Sequence, residues 1–552
     1  MLVGCGAFMS PEKPRLNPHM DELTSLEDSL RKRAHTSRLI VLVVLVVACG
    51  AVAWFSGQLV SFGPPEAEPL ERVLTEPFLD LQLSWFETLT TQARMNEELQ
   101  ASYIKQFNKD AAIFLAEVAE VEPQLVPAFK ALTESMAKFD QLTFLIEDGQ
   151  QDVKQVVAGL NTQLAEYEPR FVLDVEPFDG LIDNKYVTSV MIFVYEVLDT
   201  RSFVTGHEPP ETVDLLVVRR RDALPTDPYQ HGYVRRSDAS AAFVLQDNST
   251  SFVARFLFPS FKSRDAAFKR RFDGRVPDEL LSPYGVLVEL AQLELKSVVS
   301  ASATKIEEVA EDVAKREKIY ERLALRAEGM GIRIRKPDGL LWPRSFTHKV
   351  LMENTAVNRR GEALLMDSDM NSLLEIAGRL DDQESLTMLH QVSSLITDSV
   401  AFHEARHVLD VRNEREASDC IRERIRITDD DEDFWRTVDY ETRAYLTQII
   451  EHPPTLRLSL LGLLNHLYHR SGTAYFYTAR TILRPLAFAE DETDIPGGWA
   501  YVEQLTMRLA SLDGDTVRKR AEEFYEECFG TYQPLKLNHP DNKEASGCGI
   551  SF

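Results

Sequence analysis

Apolar positions recur along this chain with three different periods, and each period predicts a different kind of element. The seventeen residues from Leu39 to Phe55 carry no charge, and Leu59, Val60 and Phe62 extend the run weakly. A bilayer span needs about 20 such residues, so the stretch is long enough with its flanks to be a membrane helix. Arg31, Lys32, Arg33 and Arg38 precede it, and Glu66, Glu68 and Glu71 follow it. The positive-inside rule then puts the tail in the cytoplasm and the rest of the chain outside. Val46-Val47-Ala48-Cys49 has the look of a lipoprotein box, but apolar residues continue through Trp54 and Phe55 without a clear cleavage site. An uncleaved anchor is therefore the expectation.

Beyond a Pro- and Glu-rich linker at 64–72, the pattern is helical as far as Tyr167. Leu125, Phe129, Leu132, Met136, Phe139 and Leu142 repeat at steps of three and four, as do Val153, Val156, Leu160 and Leu164. These stripes predict antiparallel helices or a coiled-coil-like stalk. Between 171 and 260 the period shortens. Val187–Val197, Val213–Val218, Ala241–Leu245 and Phe252–Leu257 are β-branched and aromatic runs separated by Pro, Asp and Asn, which predicts a small antiparallel sheet. This sheet is either a separate module or the support of the helix described next. Helix resumes over 264–330, with Ser282 suited to the N-cap and Pro283 to the first helical position of a helix reaching Ala327. After a loop-rich stretch, Leu389, Val392, Ile396 and Val400 form one more stripe. Continuing it by three and then four residues lands on His403 and His407.

Charge and cysteine content narrow the picture. The chain has 552 residues with 87 acidic and 61 basic side chains, a net charge of −26, which argues against a nucleic-acid partner. Of five cysteines, Cys420, Cys528 and Cys548 fall in the exported part; three cannot all pair within one chain, and none shows metal-ligand spacing. Asn248-Ser249-Thr250 matches the glycosylation acceptor pattern.

The chemistry is concentrated in His403-Glu404-Ala405-Arg406-His407. On a helix, positions i and i+4 share a face, so two imidazoles can bind one metal ion while the Glu beside the first reaches a metal-bound water. Histidines on a buried stripe otherwise need hydrogen-bond partners. A second helix follows, from an acidic start at Thr428-Asp429-Asp430-Asp431 to Pro453-Pro454. Phe434, Val438, Glu441 and Tyr445 form its stripe, so Glu441 sits where a carboxylate must be paired or bound to metal.

This HExxH segment resembles the zincin metallopeptidases, and Glu441-Thr442-Arg443-Ala444-Tyr445 is similar to the ExxA segments of the gluzincin branch. Asp410 and Asn413 stand where the metzincin branch has Gly and His, so that branch is excluded. The resemblance covers only these two helices. It implies a zinc ion (Zn2+) held by His403, His407 and Glu441, Glu404 as general base, and an oxyanion donor drawn from Tyr445, His466, Tyr475 and Tyr477, with Tyr445 and His466 placed first. Glu414 and Glu416 are weaker third-ligand candidates. Asp410 either orients a ligand imidazole or pairs with Arg406. His466 and His469 lack nearby carboxylates for a second metal.

The expected fold class is α+β and mostly helical. A cytoplasmic tail (1–38) leads into a transmembrane helix (39–60) and a helical stalk (64–170). A sheet segment (171–262), a helical connector (263–334) and a gluzincin-like domain (335–552) follow. The expected activity is that of a membrane-anchored zinc peptidase acting on protein or peptide substrates outside the cytoplasm, in the periplasm of a bacterial-type cell. Its rivals are a catalytically silent scaffold and a zinc hydrolase of a non-peptide bond. Oligomeric state leaves no mark in the sequence.

Overall fold

A long helix, buried through its middle, and the mixed sheet beneath it organise the protein. The computed structural model describes residues 69–93, 97–138, 147–167, 170–182, 185–206, 209–221, 232–234, 241–262, 278–329, 339–342, 365–413, 416–425, 432–469, 472–488 and 498–538. The tail and the apolar run at 39–60 lie outside them. Among the described residues no helix is long and apolar enough to cross a membrane.

The first described segment is helical, as its stripes predict: α1 (Pro69–Thr75), α2 (Pro77–Ala93), α3 (Glu97–Val121), α4 (Val126–Met136) and α5 (Glu147–Tyr167). Phe78, Phe114 and Phe129 interlock at its centre, with ring centroids 5.0–6.3 Å apart. The same core takes in Phe171, Leu173 and Val175 of β1 (Phe171–Ile182) and Val190, Ile192 and Val194 of β2 (Lys185–Thr205). This bundle is packed onto the sheet and is not a free-standing stalk.

The sheet continues with β3 (Thr212–Arg220), β4 (Gly232–Val234) and β5 (Ala241–Leu245), in the order β1-β2-β3-β5-β4. A last strand, β6 (Leu535–Asn538), pairs with residues 202–205 of β2, beyond the reach of β1. The sheet is mixed, not purely antiparallel, because β3 and β5 run parallel. The chain between them passes through β4, which turns back to pair antiparallel with β5 and so becomes the outer strand. Three of these strands, β1, β4 and β6, escaped the sequence pattern, β4 and β6 being only three and four residues long.

The run Phe252–Leu257 is not a strand. The chain leaves β5 into α6 (Gln246–Phe252), a π-helical turn (Val253–Leu257) and α7 (Phe258–Lys262). Val253, Ala254, Phe256 and Leu257 are buried in the main helical core, and a short apolar run reads alike as strand or buried helix. Asn248 is buried within α6, which leaves no space for a glycan there. The helix expected from Ser282 is two helices, α8 (Asp278–Val298) and α9 (Ala303–Gly329), with Pro283 inside the first. Ser302 breaks the run because its hydroxyl accepts from the Lys305 amide and caps α9.

The remaining helices are α10 (Asp367–Leu380), α11 (Gln383–Arg412), α12 (Asp419–Ile425), α13 (Glu432–Glu451), α14 (Leu456–His469), α15 (Ala474–Ala487), α16 (Gly498–Ser511) and α17 (Gly514–Phe529). Asp382 caps α11 by accepting from the amides of Glu384 and Ser385. One core joins 253–323 to 340–532, and residues 67–552 form one compact unit. The break at 170 is thus a change from helix to strand within that unit.

Cys420 on α12 and Cys528 on α17 form a disulfide across 108 residues of chain; Cys548 lies outside the described residues. In the chain-entropy account, closing a loop of this length stabilises the folded state by up to about 4–5 kcal/mol. Replacing both cysteines with Ser is expected to lower the unfolding free energy by about 2–4 kcal/mol. Urea denaturation measures it, and an unchanged midpoint would show that the crosslink does not constrain the unfolded chain.

Candidate metal centre

Helix α11 lies between the sheet and α13, and this explains why its middle is buried on nearly every side. Val213 and Leu215 of β3 and Ala242 and Val244 of β5 face it, meeting Val400, Ala401, Phe402, Ala405 and Val408. Leu216, Val218, Phe243 and Leu245, the alternate positions, form the opposite layer with Met191, Phe193 and Tyr195. Leu389, Val392 and Ile396 sit in the main helical core, so the stripe that ends on the histidines is a buried one.

His403 and His407 project from α11 toward Glu441 on α13. The two Nε2 atoms are 3.0 Å apart. Glu441 places Oε2 3.4 Å from the first and Oε1 3.6 Å from the second. Ligands held tetrahedrally at 2.0–2.1 Å from one zinc ion stand about 3.3 Å from each other. Separations of 3.0 to 3.6 Å, those from Glu441 involving its two oxygens in turn, bracket that value, so the three side chains fit a single metal ion. Glu416 is exposed, and Glu414 lies outside the described residues.

Burial sets the electrostatics. It pushes the His407 imidazole down to about 4, keeping it neutral and able to donate its lone pair. His403 is also pushed down by burial, but the Glu441 carboxylate beside it outweighs this and leaves it raised. Burial pushes Glu441 up, and the facing imidazoles reverse this and hold it low. At Glu404 burial wins over the lowering effect of His403. Burial, with the Glu441 charge adding to it, lifts its carboxyl to about 8. Its Oε2 has no hydrogen-bond partner among the described residues.

Beside the triad lies a cavity of about 250 Å3, lined by His403, Glu404, Glu441, Tyr445, His466 and Tyr475 among others. The Tyr445 hydroxyl and His466 Nε2 are hydrogen-bonded at 3.0 Å. The Tyr445 ring stands edge-on to His403 with centroids 4.5 Å apart. Tyr475 stacks on His466. Tyr477 belongs elsewhere, packed against Phe434 and the helical core. His466 thus joins the wall of this site; the side chain of His469 lies outside the described ones.

Of the two roles expected for Asp410, the pairing with Arg406 is the one the geometry shows. Its carboxylate pairs with Arg406 at 3.2 Å and with Arg443 of α13 at 3.7 Å, and Arg443 pairs in turn with Asp439 at 2.8 Å. All four side chains are 0–6 % exposed.

Gln448, Asn465, Arg255 and Gly232 are among the lining residues not singled out from the sequence. Gln448 lines the cavity with His403 and donates to Ser399 Oγ at 2.9 Å. It extends the Phe434-Val438-Glu441-Tyr445 stripe by three residues, so the helical period carried the signal. Asn465 and Arg255 also line the cavity, and Gly232 of β4 lies against Glu404; nothing local marks these three.

Removing one member of a buried ion network strands the charges left behind. Asp410→Asn is expected to cost about 3–5 kcal/mol, read from the urea midpoint. A loss below about 1 kcal/mol, the scale of surface pairs, would mean that the two arginines are satisfied without it. No protein-family model, no curated protein and no solved structure matches this chain, so the chemistry of the site is read from its own residues.

Proposed function

We propose that this chain is a zinc-dependent peptidase of gluzincin type, anchored by the apolar run at 39–60 and acting outside the cytoplasm. The observation that carries the reading is the convergence of His403 Nε2, His407 Nε2 and the Glu441 carboxylate at separations suited to one tetrahedral ion. Two further features support it. Crosslinks such as Cys420–Cys528 persist in oxidising compartments, in keeping with export. β4 is the outer strand beside the cavity, and among the described residues no strand pairs with its far side. An extended peptide adds to such an edge through main-chain hydrogen bonds, which favours a peptide over other hydrolysable substrates.

A zinc ion at the triad would supply Lewis acidity, polarising a substrate carbonyl and acidifying water. The chain's own groups do the rest. Glu404 takes a proton from the attacking water. Burial raises its carboxyl, which makes the ionised form a stronger base than an ordinary carboxylate, and the proton it gains passes to the departing amine. Tyr445 turns its hydroxyl toward the developing oxyanion, with His466 Nε2 holding the phenol in place. The close approach of β4 fixes Glu404: a Cβ on Gly232 would fall 2.6 Å from its Oε1.

Metal analysis of the purified full chain is expected to find about one zinc per molecule, lost in His403→Ala and in Glu441→Ala. Glu404→Gln should keep the metal and lose at least about 100-fold in peptide hydrolysis. Folded protein, never exposed to chelator and yet free of zinc, would sink the proposal. Gly232→Ala is a finer probe. It should retain zinc and lower kcat by displacing Glu404, and an unchanged kcat would show that the strand does not hold the base.

A further inference from the structure

β4 is too short to hold its own position. It has three residues, Gly232–Val234, each paired with one residue of β5. So short an outer strand has few ladder bonds and opens easily. Yet its backbone stands against Glu404 along much of that side chain. A Cβ on Gly232 would fall 2.6–2.7 Å from Oε1, Cδ and Cγ of Glu404. An approach this close has to be held from elsewhere in the fold.

The next residue supplies the hold. Successive residues of a strand face opposite sides, so Gly232 meets α11 while Tyr233 enters the layer on the other face of the sheet. There its ring lies 5.3 Å from Phe243 of β5 and 6.4 Å from Tyr195 of β2, centroid to centroid. Its hydroxyl donates to Asp174 Oδ2 of β1 at 2.7 Å and is 3.2 Å from the Tyr195 hydroxyl. Asp174 is 5 % exposed, so the acceptor is a buried carboxylate. Burial, reinforced by Tyr195 and Asp174, pushes the Tyr233 phenol well above its usual value, so it stays a donor. β1 and β4 are the two ends of the strand order. In a flat sheet four strand spacings, about 19 Å, would part them, more than the two side chains span together. The sheet therefore curls toward this face, and the Tyr233–Asp174 bond ties one edge to the other.

We propose that Tyr233 is a positioning residue of this site: its bond to Asp174 holds β4 in place, and β4, through Gly232, holds Glu404 beside His403 and Glu441. The inference rests on the peptidase reading above for the role of Glu404 and adds the residue that keeps this base in position. Tyr233 acts through β4; no proton transfer and no contact with metal or substrate is assigned to it.

Hydrogen exchange and acetohydroxamate binding, both measured on the full chain, test this. Tyr233→Phe keeps the ring and removes the donor. Losing a hydrogen bond to a charged group is expected to speed exchange in a peptide containing 232–234 by about tenfold or more, with peptides of α11 and α13 unchanged. Zinc content should stay at the wild-type level. Acetohydroxamate gives up a proton when it binds a metal, and Glu404 is the group placed to accept it. Its affinity should fall at least about threefold in Tyr233→Phe and further in Glu404→Gln. Asp174→Asn keeps an oxygen acceptor for the phenol and should leave both readouts near wild type. Unchanged exchange at 232–234 in Tyr233→Phe overturns the inference. So does exchange that rises equally in α11 and α13, which marks a general loss of stability. So does faster exchange at 232–234 with acetohydroxamate affinity unchanged. These three results leave the peptidase reading standing, whereas a folded chain that takes up no zinc sinks that reading and the positioning role with it.

Discussion

The site depends on a buried cluster of two arginines and two aspartates that locks α11 against α13. The candidate metal ligands come from these two helices, and a metal site needs them to meet within a few tenths of an ångström. Arg406–Asp410 on one helix and Arg443–Asp439 on the other are each internal i,i+4 pairs, and Asp410–Arg443 joins them. At 0–6 % exposure the charges are shielded from solvent screening, so each cation requires its partner. The cluster also reaches outward. The Asp439 carboxylate accepts from the Ser418 amide, and the Ser418 hydroxyl donates to the Cys528 carbonyl. The disulfide between α12 and α17 thereby borders the same network. Ligand geometry and crosslink belong to one mechanical unit, with Arg406 over Tyr525 and Arg443 over Phe529 closing its far side.

The sheet fixes the other side of α11. Because β3 and β5 run parallel, β4 is carried to the outer position, and Gly232 comes against Glu404. A side chain at that position would collide with the carboxylate. The strand that could receive a substrate and the base that would act on it are therefore held by one contact, and the hydrophobic layer of β3, β5 and α11 keeps that contact in place.

How much of this could be read beforehand follows from range. The helices carrying the ligands were legible because burial on one side imposes a 3.6-residue period, and both stripes run without a break. His403, His407 and Glu441 stood out as polar residues on apolar stripes, and the structure brings their donor atoms together. Gln448 lay on the same stripe. The run Phe252–Leu257 was misjudged, since five apolar and aromatic residues around one Arg suit a strand or a buried helix alike, and only its packing against α8 and α9 selects helix.

By itself the sequence determined the helical majority, the pairing of an HExxH helix with a Glu-bearing helix, and the acidic character of the chain. These are local properties, written in periods and composition. Only the tertiary structure decided that the sheet is mixed and backs the motif helix, and that the N-terminal helices share its core. It also joined Cys420 to Cys528, turned Asp410 toward two arginines, and set Arg255 in the cavity wall. Each of these joins residues that are distant along the chain or places one by a neighbour's packing. Such contacts leave no periodic trace, because the partner that makes each residue meaningful is chosen by the fold.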